Sequence, residues 1–134
     1  MDIVWVVSAM QVLLFIIERG GYPVCADRFS RLGYRVIIER SMRKALALLK
    51  SASPDVVVAE FNFGPRYGDR ISNLEPLFAR IETGFRATRV IALADAEYWH
   101  HLDTLRKRFP IFDTLMHPVT EDRLVDCVNR AAQP

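Results

Sequence analysis

Apolar residues are arranged along this chain in two alternating ways, as short continuous runs bounded by turn residues and as stripes at helical spacing. The clearest run is Val56-Val57-Val58-Ala59, set between Pro54-Asp55 and a loop carrying Gly64, Pro65 and Gly68. A run of that length without polar interruption is what a strand buried on both faces requires. It predicts a strand over 55–60, with Glu60 at its carboxyl end and Asn62 just beyond. Tyr34–Glu39, Arg89–Ala94 and Ile111–Met116 read as strands on the same grounds.

Helical stripes fill the gaps. Ser41 is placed to cap a helix whose apolar side is Ala45, Leu46, Leu48 and Leu49, stopping before Pro54. Asn73 is placed to cap the next, where Leu74, Leu77, Phe78 and Ile81 share one face; Pro76 lies in its first turn and Gly84 ends it. Asp95 is expected to cap a helix with Tyr98, Leu102, Leu105 and Phe109 on its apolar side, closed by Pro110. Thr120 begins the last helix, with Glu121 and Asp122 near its positive end and Leu124, Val125, Val128 and Ala131 facing inward. A shorter helix is expected from Pro23, with Val24, Phe29 and Leu32 as a partial apolar face and Gly33 as its terminating glycine. Strand and helix therefore alternate with short connections, which predicts an α/β domain: a parallel sheet with helices on both faces, in three layers. One domain over 1–134 is expected, since there is no repeat, low-complexity segment or linker.

The amino-terminal region has two readings. Residues 2–8 and residues 12–17 are both rich in β-formers, and either can be the first core strand; a helix over Met10–Arg19 competes. If residues 12–17 are the core strand, residues 2–8 form an extra edge strand. An unpaired apolar edge is a liability, so that strand would be covered by its copy in a homodimer. The apolar stretch Ile3–Ile17 is shorter than the ~20 residues of a membrane span. Asp2 stands where a signal peptide would carry positive charge. No membrane association is expected.

Composition adds little. Half of the 134 residues are hydrophobic, a quarter are charged and the formal charge is +2, which gives no electrostatic case for nucleic acid. Two distant cysteines, Cys25 and Cys127, fit reduced thiols in a cytoplasmic protein. His100-His101 with Glu97 and Asp103 lacks ligand spacing, because adjacent helical residues point apart, and no metal or cofactor is expected.

The framework resembles the receiver domains of two-component response regulators over roughly residues 12–132. The resemblance is carried by Gly33-Tyr34-Arg35-Val36, Ala45-Leu46, Pro54-Asp55 and His117-Pro118. It implies a flavodoxin-like (βα)5 fold and a cis His117-Pro118 bond. It also implies a phosphorylation pocket at the carboxyl edge of the sheet, and here every reactive position is altered. The phosphoacceptor aspartate corresponds to Glu60, the hydroxyl residue of the fourth strand to Ala94, and the lysine before proline to His117. The acidic pair that holds magnesium is reduced to the lone Glu18, or to no acid at all if residues 2–8 are the first strand.

Three function classes follow. The first is a pseudo-receiver that works through protein contacts without phosphorylation, with Tyr98, Trp99 and Phe112 as candidate interface aromatics. The second is a small-ligand or nucleotide-binding flavodoxin-like protein, using the Gly64–Gly68 loop with Arg66 and Arg70 as an anion cradle. The third is an enzyme using Glu60 and His117 as acid and base, which lacks a nucleophile beside them. Glu60 reads either as a mimic of a phosphorylated aspartate or as a carboxylate held by local hydrogen bonds or by Arg66. His117 reads as a solvated or backbone-bonded histidine, with a pH-sensitive Glu60–His117 pair as the alternative.

Overall fold

The computed structural model describes residues 10–62, 72–85 and 87–134. Its strands are β1 (Gln11–Ile16), β2 (Tyr34–Glu39), β3 (Val56–Glu60), β4 (Arg89–Ala94) and β5 (Asp113–Met116). Its helices are α1 (Ala26–Arg31), α2 (Met42–Ala52), α3 (Glu75–Gly84), α4 (Trp99–Arg108, led in by a single 3-10 turn over Ala96–Tyr98) and α5 (Glu121–Ala131). The strands form one parallel sheet in the order β2-β1-β3-β4-β5. That is the flavodoxin-like doubly wound order.

The continuous apolar runs are explained by the two packed faces. Leu14 and Ile16, Val57 and Ala59, and Val90, Ala92 and Ala94 face one core with Ala45 and Leu49 of α2, Leu77 and Phe78 of α3, and Leu102 and Leu105 of α4. The alternate residues, Leu13 and Phe15, Val56 and Val58, and Ile91 and Leu93, face a second core with Phe29 of α1 and Leu124, Val125 and Val128 of α5. All five residues of β3 are buried. Successive side chains of a strand point to opposite faces, so a strand between two helical layers is apolar at every position.

Several local expectations are corrected. Residues 11–16 are a strand, so the competing helix over Met10–Arg19 does not form. The first helix starts at Ala26, not Pro23, after Cys25 in the left-handed region at φ 51°; Leu32 is half exposed at 51%. The last strand is four residues long and excludes Ile111 and Phe112. Asn73 does not cap α3: Leu74 precedes it, with Ser72 Oγ accepting the Leu74 N–H and Glu75 accepting the Ser72 N–H. Asp95 makes no side-chain capping bond. Ser41 and Thr120 do cap, accepting the N–H of Lys44 and of Arg123. Gly33 follows α1 at φ 99°, a left-handed conformation natural to glycine. Residues 2–8, the expected extra strand and its homodimer contact, lie outside the described residues.

Candidate functional site

The carboxyl ends of β1, β3, β4 and β5 converge on one edge of the sheet, the place where ligands gather in open α/β folds. Glu60 ends β3 and is 3% exposed. Its carboxylate faces the turn after β1: Oε2 accepts the backbone N–H of Glu18 at 3.0 Å and of Arg19 at 2.7 Å, and Oε1 lies 3.3 Å from the Arg19 nitrogen. A buried carboxylate needs donors, and two adjacent amides supply charge-assisted hydrogen bonds.

Beside it, Asn73 joins three segments. Its Nδ2 donates to the Glu60 carbonyl at 2.7 Å and to Glu18 Oε1 at 3.0 Å, and its Oδ1 accepts the Asn62 N–H at 2.7 Å. The Asn73 N–H donates in turn to the Asn62 carbonyl. Both asparagines are buried, and Asn62 Nδ2 has no hydrogen-bond partner among the described residues. Glu18 is thus tied to the β3 turn through an amide, not left free as an isolated acid.

Across the edge, Ala94 is fully buried and its carbonyl accepts the His117 N–H at 2.8 Å. The His117-Pro118 bond is cis. The alternative Glu60–His117 pair does not form, because Glu60 is turned to the Glu18 and Arg19 amides. His117 Nδ1 lies 3.8 Å from Asp95 Oδ1, and its ring meets the edge of Tyr22 at a centroid distance of 5.4 Å. Burial pushes the Tyr22 hydroxyl up to about 12, with the Asp95 and Glu60 carboxylates acting in the same direction. Together with Arg19, Gly20, Phe61 and Asn62, these side chains line a cavity of about 200 Å³.

The aromatics separate. Tyr98 packs on the core and stands edge-on to Phe61 at 6.1 Å. Trp99, at the start of α4, is 36% exposed and carries the Arg106 guanidinium 5.9 Å from its ring. Phe112 does not join them. It precedes β5 at the amino edge of the sheet, its N–H bonds Val90, and Arg89 and Arg130 flank its ring at 5.5 and 5.9 Å. Arg66, Arg70 and the Gly64–Gly68 loop lie outside the described residues. Among those described, no group of three or more His, Cys, Asp or Glu is disposed to hold a metal ion, and no helix is long and apolar enough to cross a membrane.

The sequence reading missed Asn73, Tyr22 and Asp95 as parts of this edge. Asn73 and Asp95 precede helical stripes, the ordinary position of a cap, and nothing local marks a longer-range partner. Tyr22 carried a weak signal, an aromatic directly after a glycine pair that turns the chain at φ 92° and 88°.

No protein-family model matches the chain, and no curated protein matches it in sequence. Solved structures do match. A response regulator receiver domain protein from Clostridium thermocellum superposes with TM-score 0.70 at 19% identity, covering 92% of this chain and 94% of that one. The signal receiver domain of an HD domain-containing protein from Pseudomonas fluorescens gives 0.68 at 22% identity, over 91% and 94%. The signal receiver domain of a modulated diguanylate cyclase from Desulfovibrio desulfuricans gives 0.62 at 19%, over 92% and 94%. The fold is that of receiver domains. In a receiver fold, the edge formed by Glu60, Ala94 and His117 is the one the resemblance marks as the phosphorylation pocket.

Proposed function

We propose that the protein is a pseudo-receiver: a signalling module of two-component type that works through protein contacts and takes up no phosphoryl group. The observation that carries this reading is the engagement of Glu60. Its carboxylate is already bonded to the Glu18 and Arg19 amides, so the side chain in the phosphoacceptor position serves the fold as a brace between β3 and the β1 turn.

The remaining positions point the same way. Phosphoryl transfer depends on cations and donors that neutralise the transferred group. Ala94 has no hydroxyl to donate, and His117 faces Tyr22 and Asp95. Magnesium, which the resemblance implies, does not fit this residue set. It needs several hard oxygen ligands, whereas the Glu60 and Glu18 carboxylates are already accepting from the Glu18 and Arg19 amides and from Asn73. The module accordingly acts without a metal and without catalysis of its own. Output passes to a protein partner, with Trp99 as the exposed anchor on α4. The two free thiols, Cys25 and Cys127, agree with a cytoplasmic setting. At this edge a small-ligand or nucleotide-binding role has less support, since its cavity of about 200 Å³ is below the ~300–1,000 Å³ of ordinary ligand pockets.

The test is a titration of the ¹⁵N-labelled protein with beryllofluoride and magnesium, a phosphoryl analogue with its metal. The wild type is expected to show no saturable shifts at Glu60, Ala94 or His117. Saturable shifts there would overturn the reading. The Glu60→Asp variant is expected to be silent as well, because Ala94 and His117 remain. A response confined to that variant would leave the wild type phosphorylation-independent and assign the defect to side-chain length alone.

A further inference from the structure

At the opposite margin from β5, strand β2 leaves one side open: among the described residues it pairs only with β1. The Glu39 carbonyl accepts the Ile17 N–H on that inner side. Backbone direction alternates along a strand, so Arg35, Ile37 and Glu39 turn their backbone groups to β1, while Tyr34, Val36 and Ile38 turn theirs outward. Exposed edges are normally protected by proline, a bulge, lysines or an inward-pointing charge. Strand β2 has no proline or lysine. It is six regular residues, Tyr-Arg-Val-Ile-Ile-Glu, with Ile38 exposed at 41% and Val36 and Ile37 half-buried.

The order of those residues specifies a partner. Lay β2 antiparallel to its own copy about a two-fold axis through Ile37. The two Ile37 residues then meet as a non-hydrogen-bonded pair, which suits a residue whose backbone groups face inward. Val36 of each chain stands opposite Ile38 of the other and exchanges N–H···O bonds with it, using the groups that point outward. Arg35 stands opposite Glu39, twice by symmetry, so each cross-strand charge meets its opposite. Among the described residues Arg35 makes no ion pair, and the Glu39 carboxylate accepts from the N–H of Arg40 next to it. A register centred on Val36 would set Arg35 against Ile37, and one centred on Ile38 would set Glu39 against Ile37, leaving each charge opposite an apolar side chain. Only the register about Ile37 matches hydrogen bonds, charge and apolarity together.

We propose that the outer edge of β2 is a homodimer interface, joining two sheets into one through antiparallel β2–β2 pairing about Ile37, with reciprocal Arg35–Glu39 pairs. The contact is independent of the carboxyl-edge pocket and of whether that pocket accepts a phosphoryl group. It needs no contribution from residues 2–8.

Charge reversal on the full chain tests it, read by sedimentation velocity up to about 100 µM with circular dichroism to confirm folding. Wild type is expected to be dimeric. Arg35→Glu sets Glu against Glu and Glu39→Arg sets Arg against Arg, so each single variant is expected to be monomeric. The double variant, Arg35→Glu with Glu39→Arg, restores opposite charges and is expected to be dimeric again. In a Cys25→Ser background, Ile37→Cys should form an interchain disulfide on mild oxidation, because a non-hydrogen-bonded antiparallel pair sets the Cα atoms about 4.5 Å apart, within disulfide reach. A monomeric wild type overturns the proposal. So do single variants that stay dimeric, or a double variant that stays monomeric while folded.

Discussion

A carboxylate at the end of a buried strand must find donors, and Glu60 finds them in its own chain. The Glu18 and Arg19 amides need acceptors where the chain leaves β1, and the glutamate side chain reaches them across from β3. A bracing role and a role as mimic of a phosphorylated aspartate separate experimentally, because the brace depends on an acceptor oxygen and the mimic on charge. Glu60→Gln keeps an acceptor at the Oε2 position, where both short bonds converge, and is expected to cost under about 1 kcal/mol. Glu60→Ala leaves two amides without that acceptor and opens space beneath the turn, and is expected to cost about 2–3 kcal/mol. Urea unfolding of the two variants checks this. If the glutamine variant is as damaged as the alanine variant, the charge matters and the brace is the wrong description.

At the scale of elements, the chain's pattern specified the sheet and left the ends of its helices ambiguous. The run Val56–Ala59 could only be a strand covered on both sides, and the structure buries all of it. The stripes of α2 and α5 place Ala45, Leu49, Leu124 and Val128 inward as their spacing demands. Caps were less legible, because Asn, Asp, Ser and Thr suit a helix start and a turn equally well. Ser41 and Thr120 bond the amide three residues on. Asn73 is drawn instead to the Asn62 backbone and Glu18, and Asp95 lies near His117. Those partners are distant in sequence, so no local pattern announces them. The contrast is measurable. Thr120→Ala should cost about 1 kcal/mol by removing a true cap from α5. Asp95→Ala should cost under about 0.5 kcal/mol, since it caps nothing and its contact with His117 is exposed on both sides. Equal losses in thermal or urea unfolding would contradict the different cap geometries.

For the whole molecule, burial of neutral acids sets how stability responds to alkali. Tyr22 is raised from 10.0 to about 12 by burial and by the Asp95 and Glu60 carboxylates. Cys127, between α5 and β5, is raised from 9.0 to about 12 by burial first and then by Asp113, which its thiol also contacts at 3.7 Å. Cys25 moves the same way, again through burial first. Each group is neutral when protonated, and the folded state holds the proton to higher pH than the unfolded chain does. Between pH 9 and 12 the unfolded state therefore carries fewer protons, and the free energy of unfolding falls as pH rises. The contribution is fully present below pH 9 and is lost as pH passes through the folded values near 12. Tyr22 is partly solvated, so screening reduces its share, and the two groups together should account for a loss on the order of 2 kcal/mol. Lysine deprotonation acts in the same range, so the measurement must be a difference. Urea midpoints of wild type and of Tyr22→Phe with Cys127→Ala, followed from pH 8 to 11.5, isolate it. The double variant starts lower because it loses packing and a hydrogen bond, but that offset does not depend on pH. Its midpoint should fall less steeply than that of the wild type above pH 9. Parallel curves would mean that neither group keeps its proton longer in the fold than in the unfolded chain.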